Sequence, residues 1–262
     1  ADRDAIECLR WLGLDWDDGP VYQSHDLSPY TQAMQRLAER GKVFPSELSR
    51  AEIASAASAP HPEEPGHEVR FAPELRPNTF PSRFDPAIDA GWRFATPVET
   101  VQFDDLFLGR VAARPSATIG DFIVWTRARV PAYQLAVVVD DHRQGVTHIL
   151  RGADLADSAG RQLLLYRALG LRPEPVHGHL PLIRGADGRR LAKRHGDTRL
   201  AQYRARGAKP ESVIGYLAWS AGVLQRPGPM SAREFSAAFD PDTMPRTDWT
   251  FVPDHERWML PD

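Results

Sequence analysis

Residues 190–196 read Arg-Leu-Ala-Lys-Arg-His-Gly, a compact cationic loop that follows the apolar run at 179–183 and the turn residues 184–188. Two arginines and a lysine on a glycine-flanked loop suit polyphosphate chemistry. The ammonium acts as a point charge and the guanidiniums grip oxygens in pairs, so together they stabilise charge developing on transferred or departing phosphates. Lys193 is one of only three lysines, with Lys42 and Lys209, among 32 basic residues. Arginine is the usual cation of this chain, yet the centre of the loop is lysine. A charge run of this kind is otherwise read as a solvated face.

Other residues carry weaker chemical signals. Asp140 and Asp141 are adjacent carboxylates, but neighbours in sequence at an element's end usually cap it or aim apart, so a structural role is expected in preference to acid–base work. His177 and His179 are spaced to share one face of a strand, and with no third ligand in view a metal site is not expected. Neither a Ser-His-Asp pattern nor a glycine-rich phosphate loop is present.

The elements that would hold these groups alternate between strand and helix. Residues 133–139 (Tyr-Gln-Leu-Ala-Val-Val-Val) form a continuous apolar, β-branched run, which predicts a strand covered on both faces. Residues 146–150 predict a second strand, 157–170 a helix and 176–183 a third strand, a βαβ unit leading straight to the cationic loop. Ligands of open α/β sheets bind beyond the carboxyl ends of strands, which places Arg151 and the loop where chemistry is expected.

Upstream, residues 2–12 predict a helix ending at Gly13. Residues 27–41 predict another, with Ser28 as N-cap, Pro29 in the first turn, an apolar face of Tyr30, Ala33, Met34, Leu37 and Ala38, and Gly41 as terminator. Residues 51–88 read as an irregular insertion, and 94–111 with 119–126 as short strands of an antiparallel elaboration. Residues 210–224 predict an amphipathic helix with Val213, Ile214, Leu217, Ala221 and Leu224 on one face.

Composition sets limits. With 262 residues, 42% hydrophobic and 26% charged, the chain can bury one large core or two smaller ones. A net charge of −3 excludes a broadly basic nucleic-acid coat but not a local basic face. The single cysteine, Cys8, permits no internal disulfide and no thiolate-ligated zinc. No apolar run approaches the ~20 residues that span a bilayer, and no secretion signal opens the chain, so a cytoplasmic protein without membrane contact is expected.

The runs at 132–141 (Ala-Tyr-Gln-Leu-Ala-Val-Val-Val-Asp-Asp), 144–152 (Gln-Gly-Val-Thr-His-Ile-Leu-Arg-Gly) and 191–196 (Leu-Ala-Lys-Arg-His-Gly), with Trp-Leu-Gly-Leu-Asp-Trp-Asp at 11–17, closely resemble the class I glutamyl-tRNA synthetase group. Several motifs stand in the right order over most of residues 3–224. The group's K-M-S-K-S-type loop stands here as residues 190–196, with Ala192 where serine is usual. The chain stops about 65 residues past that loop, without the long helical anticodon-binding portion of conventional members. It therefore resembles the shortened glutamyl-Q tRNA(Asp) synthetases. That likeness implies activation of L-glutamate with ATP and Mg2+, followed by transfer to the queuosine base of tRNA(Asp). The alternatives are a fragment of a conventional glutamyl-tRNA synthetase charging the tRNA 3′ end, or a truncated non-catalytic tRNA-binding paralogue.

The resemblance also implies site roles. Tyr133 and Arg151 would bind glutamate, Arg151 taking a carboxylate; taken alone, Arg151 suits a structural ion pair and Tyr133 a half-buried strand aromatic. Lys193 would stabilise the α-phosphate and pyrophosphate with Arg190 and Arg194 in support. Leu182 and Ile183 would hold adenine through backbone groups, and Asp154 would lie near the nucleotide.

The implied fold is α/β: a Rossmann-like parallel sheet, N-terminally incomplete, with an inserted α+β acceptor-type subdomain and a short helical C-terminal region. Residues 1–42 would be the helical part of the nucleotide fold and 43–130 the insertion. Residues 131–196 would be the second half of the catalytic fold, and 197–262 a helical stem-contact-like region. The family's H-I-G-H signature is not found, so an upstream segment carrying it is expected. The Cys-x-Cys start of a zinc site is replaced by Ser46 and Leu48, so packing is expected to replace zinc. A monomer is expected.

Overall fold

A computed structural model describes residues 2–56, 69–191 and 199–261. Two compact units result, one of Val21–His179 and one of Ala1–Pro20 with Leu180–Asp262. In chain order the helices are α1 Asp2–Trp11, α2 Ser28–Glu39, α3 Arg50–Ala56, α4 Pro115–Thr118, α5 Tyr133–Arg143, α6 Ala156–Leu169, α7 Leu200–Ala205, α8 Pro210–Ser220 and α9 Ala232–Ala238. The strands are β1 Val43–Ser46, β2 Gly91–Phe94, β3 Val101–Asp105, β4 Gly109–Ala113, β5 Phe122–Trp125, β6 His148–Gly152, β7 Val176–Leu180, β8 Ile183–Arg184 and β9 Trp249–Thr250.

In the larger unit α2 buries the face read from its sequence, Tyr30, Ala33, Met34, Leu37 and Ala38. Its start differs. Ser28 lies inside the first turn, and the Asp26 carboxylate receives the Ser28 N–H at 2.9 Å and hydroxyl at 2.5 Å. An aspartate two residues upstream thus does the capping work expected of the serine. Gly41 follows the helix at φ +60°, where its N–H bonds to the Ala38 carbonyl.

The largest correction concerns residues 133–139, which form the first two turns of α5 and not a strand. A short apolar run cannot distinguish a two-face-buried strand from a buried helix. Here Leu135, Ala136, Val138 and Val139 are buried, and the helix packs against α2, α6 and β5. Burying each large side chain contributes about 1.5–3 kcal/mol. That exceeds the roughly half a kcal/mol by which a valine disfavours helix relative to alanine. Extended Ala132 (φ −75°, ψ 157°) opens α5 and Gly145 at φ +67° follows its end.

Two other boundaries move. The second predicted strand is β6, two residues later than expected, and the third divides into β7 and β8 around Pro181, which has no N–H to offer a ladder. The helix predicted over 157–170 is α6, closed by Gly170 in the left-handed conformation.

A four-stranded sheet has the order β4-β3-β7-β6. Strands β3 and β4 pair antiparallel, and β3 joins β7 in parallel at Asp105 and His177. The β3–β4 pair, within residues read as part of an antiparallel elaboration, therefore extends the sheet that carries β6 and β7. A separate antiparallel sheet, β1-β2-β5, holds Trp92, Phe94, Val124 and Trp125 against the core with Met34, Leu37, Leu135, Leu163 and Leu165.

The smaller unit gathers Leu12, Tyr203, Val213, Ile214, Tyr216, Phe251 and Met259 into its own core. Its helix α8 starts at Pro210, as expected, but ends at Ser220 rather than 224, with Gly222 at φ +78°. Gly215 lies so near the Gly228 carbonyl that a Cβ would sit 1.7 Å from its oxygen, so only glycine fits there. Among the described residues no helix is long and apolar enough to cross a membrane.

Candidate functional site

Arg151 lies on β6 and Tyr133 is the first residue of α5, and the fold brings the two together. Tyr133 stands beside the Arg151 guanidinium and favours its charged form, while the tyrosine remains 51% exposed. Arg151 Nε donates to His179 Nε2 at 3.1 Å. Its Nη2 is buried and has no protein partner. Burial lowers the Arg151 pKa, with Tyr133, Asp141 and Asp105 acting in opposition. An arginine held this way has one buried donor still to satisfy, and a planar fork suits a carboxylate.

Behind His179 stands Asp105, at the end of β3. Its carboxylate receives His179 Nδ1 at 2.5 Å and the His179 backbone N–H at 3.1 Å. The N–H groups of Phe107 and Leu108 add bonds of 3.0 Å each. Burial acts to raise the Asp105 carboxyl, but the Leu108, His179 and Phe107 donors outweigh it and hold the carboxyl below its ordinary range. Sequence reasoning singled out His179 only as half of a metal pair and passed over Asp105. The signal available was an aspartate four residues before the turn glycine Gly109.

His177 and His179 do share a face, their rings stacked at 6.0 Å with 3° between planes. They do not form a metal site with a third group, since no cluster of three metal-ligating residues occurs among the described residues. Both His177 ring nitrogens are buried without hydrogen-bond partners. Burial, with the Arg151 charge added, pushes the His177 pKa down to about 4. An unfolded histidine titrates near 6.5, so between those values the unfolded chain takes up a proton that the fold refuses. Stability should therefore fall as pH drops from about 6.5 to 4, by up to about 3 kcal/mol. His177→Leu should remove that component, read as the difference between variant and parent in denaturant unfolding at pH 7 and pH 4.5. An unchanged difference at the two pH values would refute it.

Asp140 is structural, as expected. Buried in α5, it accepts the Tyr30 hydroxyl at 2.8 Å and Gln23 Nε2 at 2.7 Å. Burial and this carboxylate push the Tyr30 phenol up to about 12. Its neighbour Asp141 differs: burial raises its carboxyl, with Arg151 pulling the other way.

Asp154 is exposed in the 3-10 turn Ala153–Leu155, three residues beyond Arg151. The remaining site residues belong to the smaller unit. Leu182 donates its N–H to Asp248 at 2.7 Å and accepts the Trp249 N–H at 2.9 Å, and the Ile183 carbonyl accepts from Leu191 at 3.0 Å. Asp248 also binds Arg184, which orders the segment leading to the cationic loop. Arg190 is exposed and forms an antiparallel bridge with Arg184. Lys193 and Arg194 lie outside the described residues.

Comparison with known proteins supplies the wider context. The family described as "tRNA synthetases class I (E and Q), catalytic domain" matches residues 1–253. The glutamyl-Q tRNA(Asp) synthetase of Symbiobacterium thermophilum is 46% identical over 92% of this chain and 77% of its own length. That of Rhodopirellula baltica is 44% identical over 77% of this chain and 64% of its own length. A glutamate–tRNA ligase of Trichlorobacter lovleyi is 36% identical over 97% of this chain, which spans 53% of that enzyme. The crystal structure of glutamate-tRNA synthetase from Elizabethkingia anophelis superposes with a TM-score of 0.76 at 21% identity, covering 98% of this chain and 59% of that one. This likeness identifies the α/β fold as that of the class I synthetases.

Proposed function

Since the chain belongs to the class I tRNA synthetases of the glutamate and glutamine type, we propose that it is a ligase that activates glutamate with ATP and transfers it to the queuosine base of tRNA(Asp). The observation that carries the glutamate reading is the Tyr133–Arg151 pair with its unsatisfied buried Nη2 donor. A glutamate carboxylate would accept from that donor, and Tyr133 would pack against the amino acid. In the activation step a glutamate α-carboxylate oxygen bonds to the α-phosphorus of ATP as the bond to pyrophosphate breaks. Lys193, with Arg190 and Arg194, stabilises the charge that gathers on the phosphate oxygens.

For the nucleotide, Leu182 and Ile183 are assigned the adenine contact through backbone groups, and Asp154 is assigned to the nucleotide's neighbourhood. Carbonyl oxygens have two lone pairs, so those of Leu182 and Ile183 can accept from the adenine amine while keeping their bonds to Trp249 and Leu191. The described residues form no carboxylate cage for a resident metal. Magnesium is proposed only as the counter-ion that ATP carries, the usual habit of an ion held by substrate phosphates. The protein is read as a cytoplasmic monomer.

The test is glutamate-dependent exchange of pyrophosphate into ATP without tRNA, followed by locating labelled glutamate on queuosine-bearing tRNA(Asp). Label on the modified base supports the proposal. Label on the 3′ adenosine would replace it with conventional aminoacylation, the activity named for the Trichlorobacter relative. Arg151→Ala should raise the glutamate KM by about a hundredfold, as expected when a charged hydrogen-bonding group is deleted. Unaltered glutamate dependence would sink the carboxylate assignment.

A further inference from the structure

Arg151 is held from behind by groups that no substrate needs to touch. His179 is fully buried, and its two ring nitrogens are both engaged, Nδ1 with Asp105 at 2.5 Å and Nε2 with Arg151 Nε at 3.1 Å. An arginine Nε–H can only donate, so His179 Nε2 must accept, and the ring proton must sit on Nδ1, donating to the Asp105 carboxylate. Only one neutral tautomer fits this chain of bonds. Asp105 is itself fixed by three backbone N–H groups, those of Phe107, Leu108 and His179. The row is built across three strands, Asp105 on β3, His179 on β7 and Arg151 on β6, which are neighbours in one sheet.

We propose that Asp105 and His179 form a buried acceptor relay that aims the Arg151 guanidinium, making His179 a positioning residue for glutamate recognition. This deepens the glutamate reading above and rests on it. Arg151 could otherwise swing among rotamers, and ordering a long side chain at the moment of binding weakens affinity. The relay settles that order in advance. It also constrains the fork. With Nε committed to His179, Nη2 is left as a buried donor without a protein acceptor.

The experiment is a double-mutant cycle in the full-length protein, read by pyrophosphate exchange with glutamate and ATP varied separately. His179→Phe keeps a planar ring and loses the acceptor. It should raise the glutamate KM roughly tenfold or more, with the ATP KM and kcat within about twofold. His179→Gln, whose amide oxygen can accept from Arg151, should recover most of the loss. In an Arg151→Ala background the His179→Phe change should have almost no further effect, which a merely structural role would not produce. If Arg151→Ala leaves the glutamate KM unaltered, the glutamate reading itself fails. If Arg151→Ala raises it while His179→Phe does not, or if the two losses add, the relay is overturned. Should His179→Phe fail to fold, nitrogen-15 NMR of histidine in the unmutated protein decides the matter: the Nδ1–H tautomer of His179 supports the relay and the Nε2–H tautomer overturns it.

Discussion

Lys193→Ala should slow glutamate activation by about two to three orders of magnitude, the range seen when a preorganised charge-stabilising donor is removed from a transition state. The loss should fall on kcat, with the glutamate KM little changed and the thermal transition in place. The reasoning is chemical: when pyrophosphate departs, negative charge accumulates on non-bridging oxygens, and a compact ammonium is the strongest local counter-charge in the loop. With arginine serving nearly everywhere else in the chain, this lysine is a marked exception. Lys193→Arg should recover part of the rate, since charge is kept but the fork cannot occupy a point position. Exchange kinetics of the alanine variant near those of the parent would refute the role.

The second large effect concerns stability. Asp121→Ala should destabilise the protein by about 3 kcal/mol, the cost of leaving the partly buried Arg76 cation and the Thr96 N–H without their acceptor. At a few degrees per kcal/mol for a chain of this size, the melting temperature should fall by roughly 10 °C. The Asp121 side chain is fully buried and takes a two-pronged grip from Arg76, at 2.7 Å through Nε and 2.7 Å through Nη2. The Thr96 N–H adds a bond of 2.8 Å, and Arg76 Nη2 also reaches the Thr96 carbonyl at 2.8 Å. One carboxylate thus ties together three segments distant in sequence. The double change Asp121→Asn with Arg76→Met should cost less than Asp121→Ala alone, because no unpaired charge stays behind. A shift below about 2 °C for Asp121→Ala would show that the pair is not what holds these segments.

That ion pair bears on a sequence expectation. Ser46 and Leu48 stand where the resemblance leads one to expect the start of a zinc site. Phe44, Ile53 and Phe71 form a small buried cluster in this region. The Arg76–Asp121 pair adds a polar tie that no local pattern announced, since its partners are 45 residues apart.

Features governed by neighbours within a turn of chain were legible in advance. The buried face of α2 follows from 3.6-residue periodicity. The ends at Gly13, Gly41 and Gly170 follow from glycine's tolerance of positive φ, observed at all three. The cationic loop and its lone lysine are facts of sequence alone, and so is the likeness that identified the family. Residues 133–139 mark where local reading stops. Their apolar run is compatible with strand or helix, and only the neighbours packed around them make helix the lower-energy choice. The pairing of β3 with β7 is likewise a matter of register across the sheet. It sets Asp105 against His179, 74 residues away, and so places the acceptor behind Arg151. By itself, then, the sequence marked the candidate residues for the chemistry. Tertiary structure decided which of them meet, because contacts between distant segments depend on burial and strand register that no short window of residues contains.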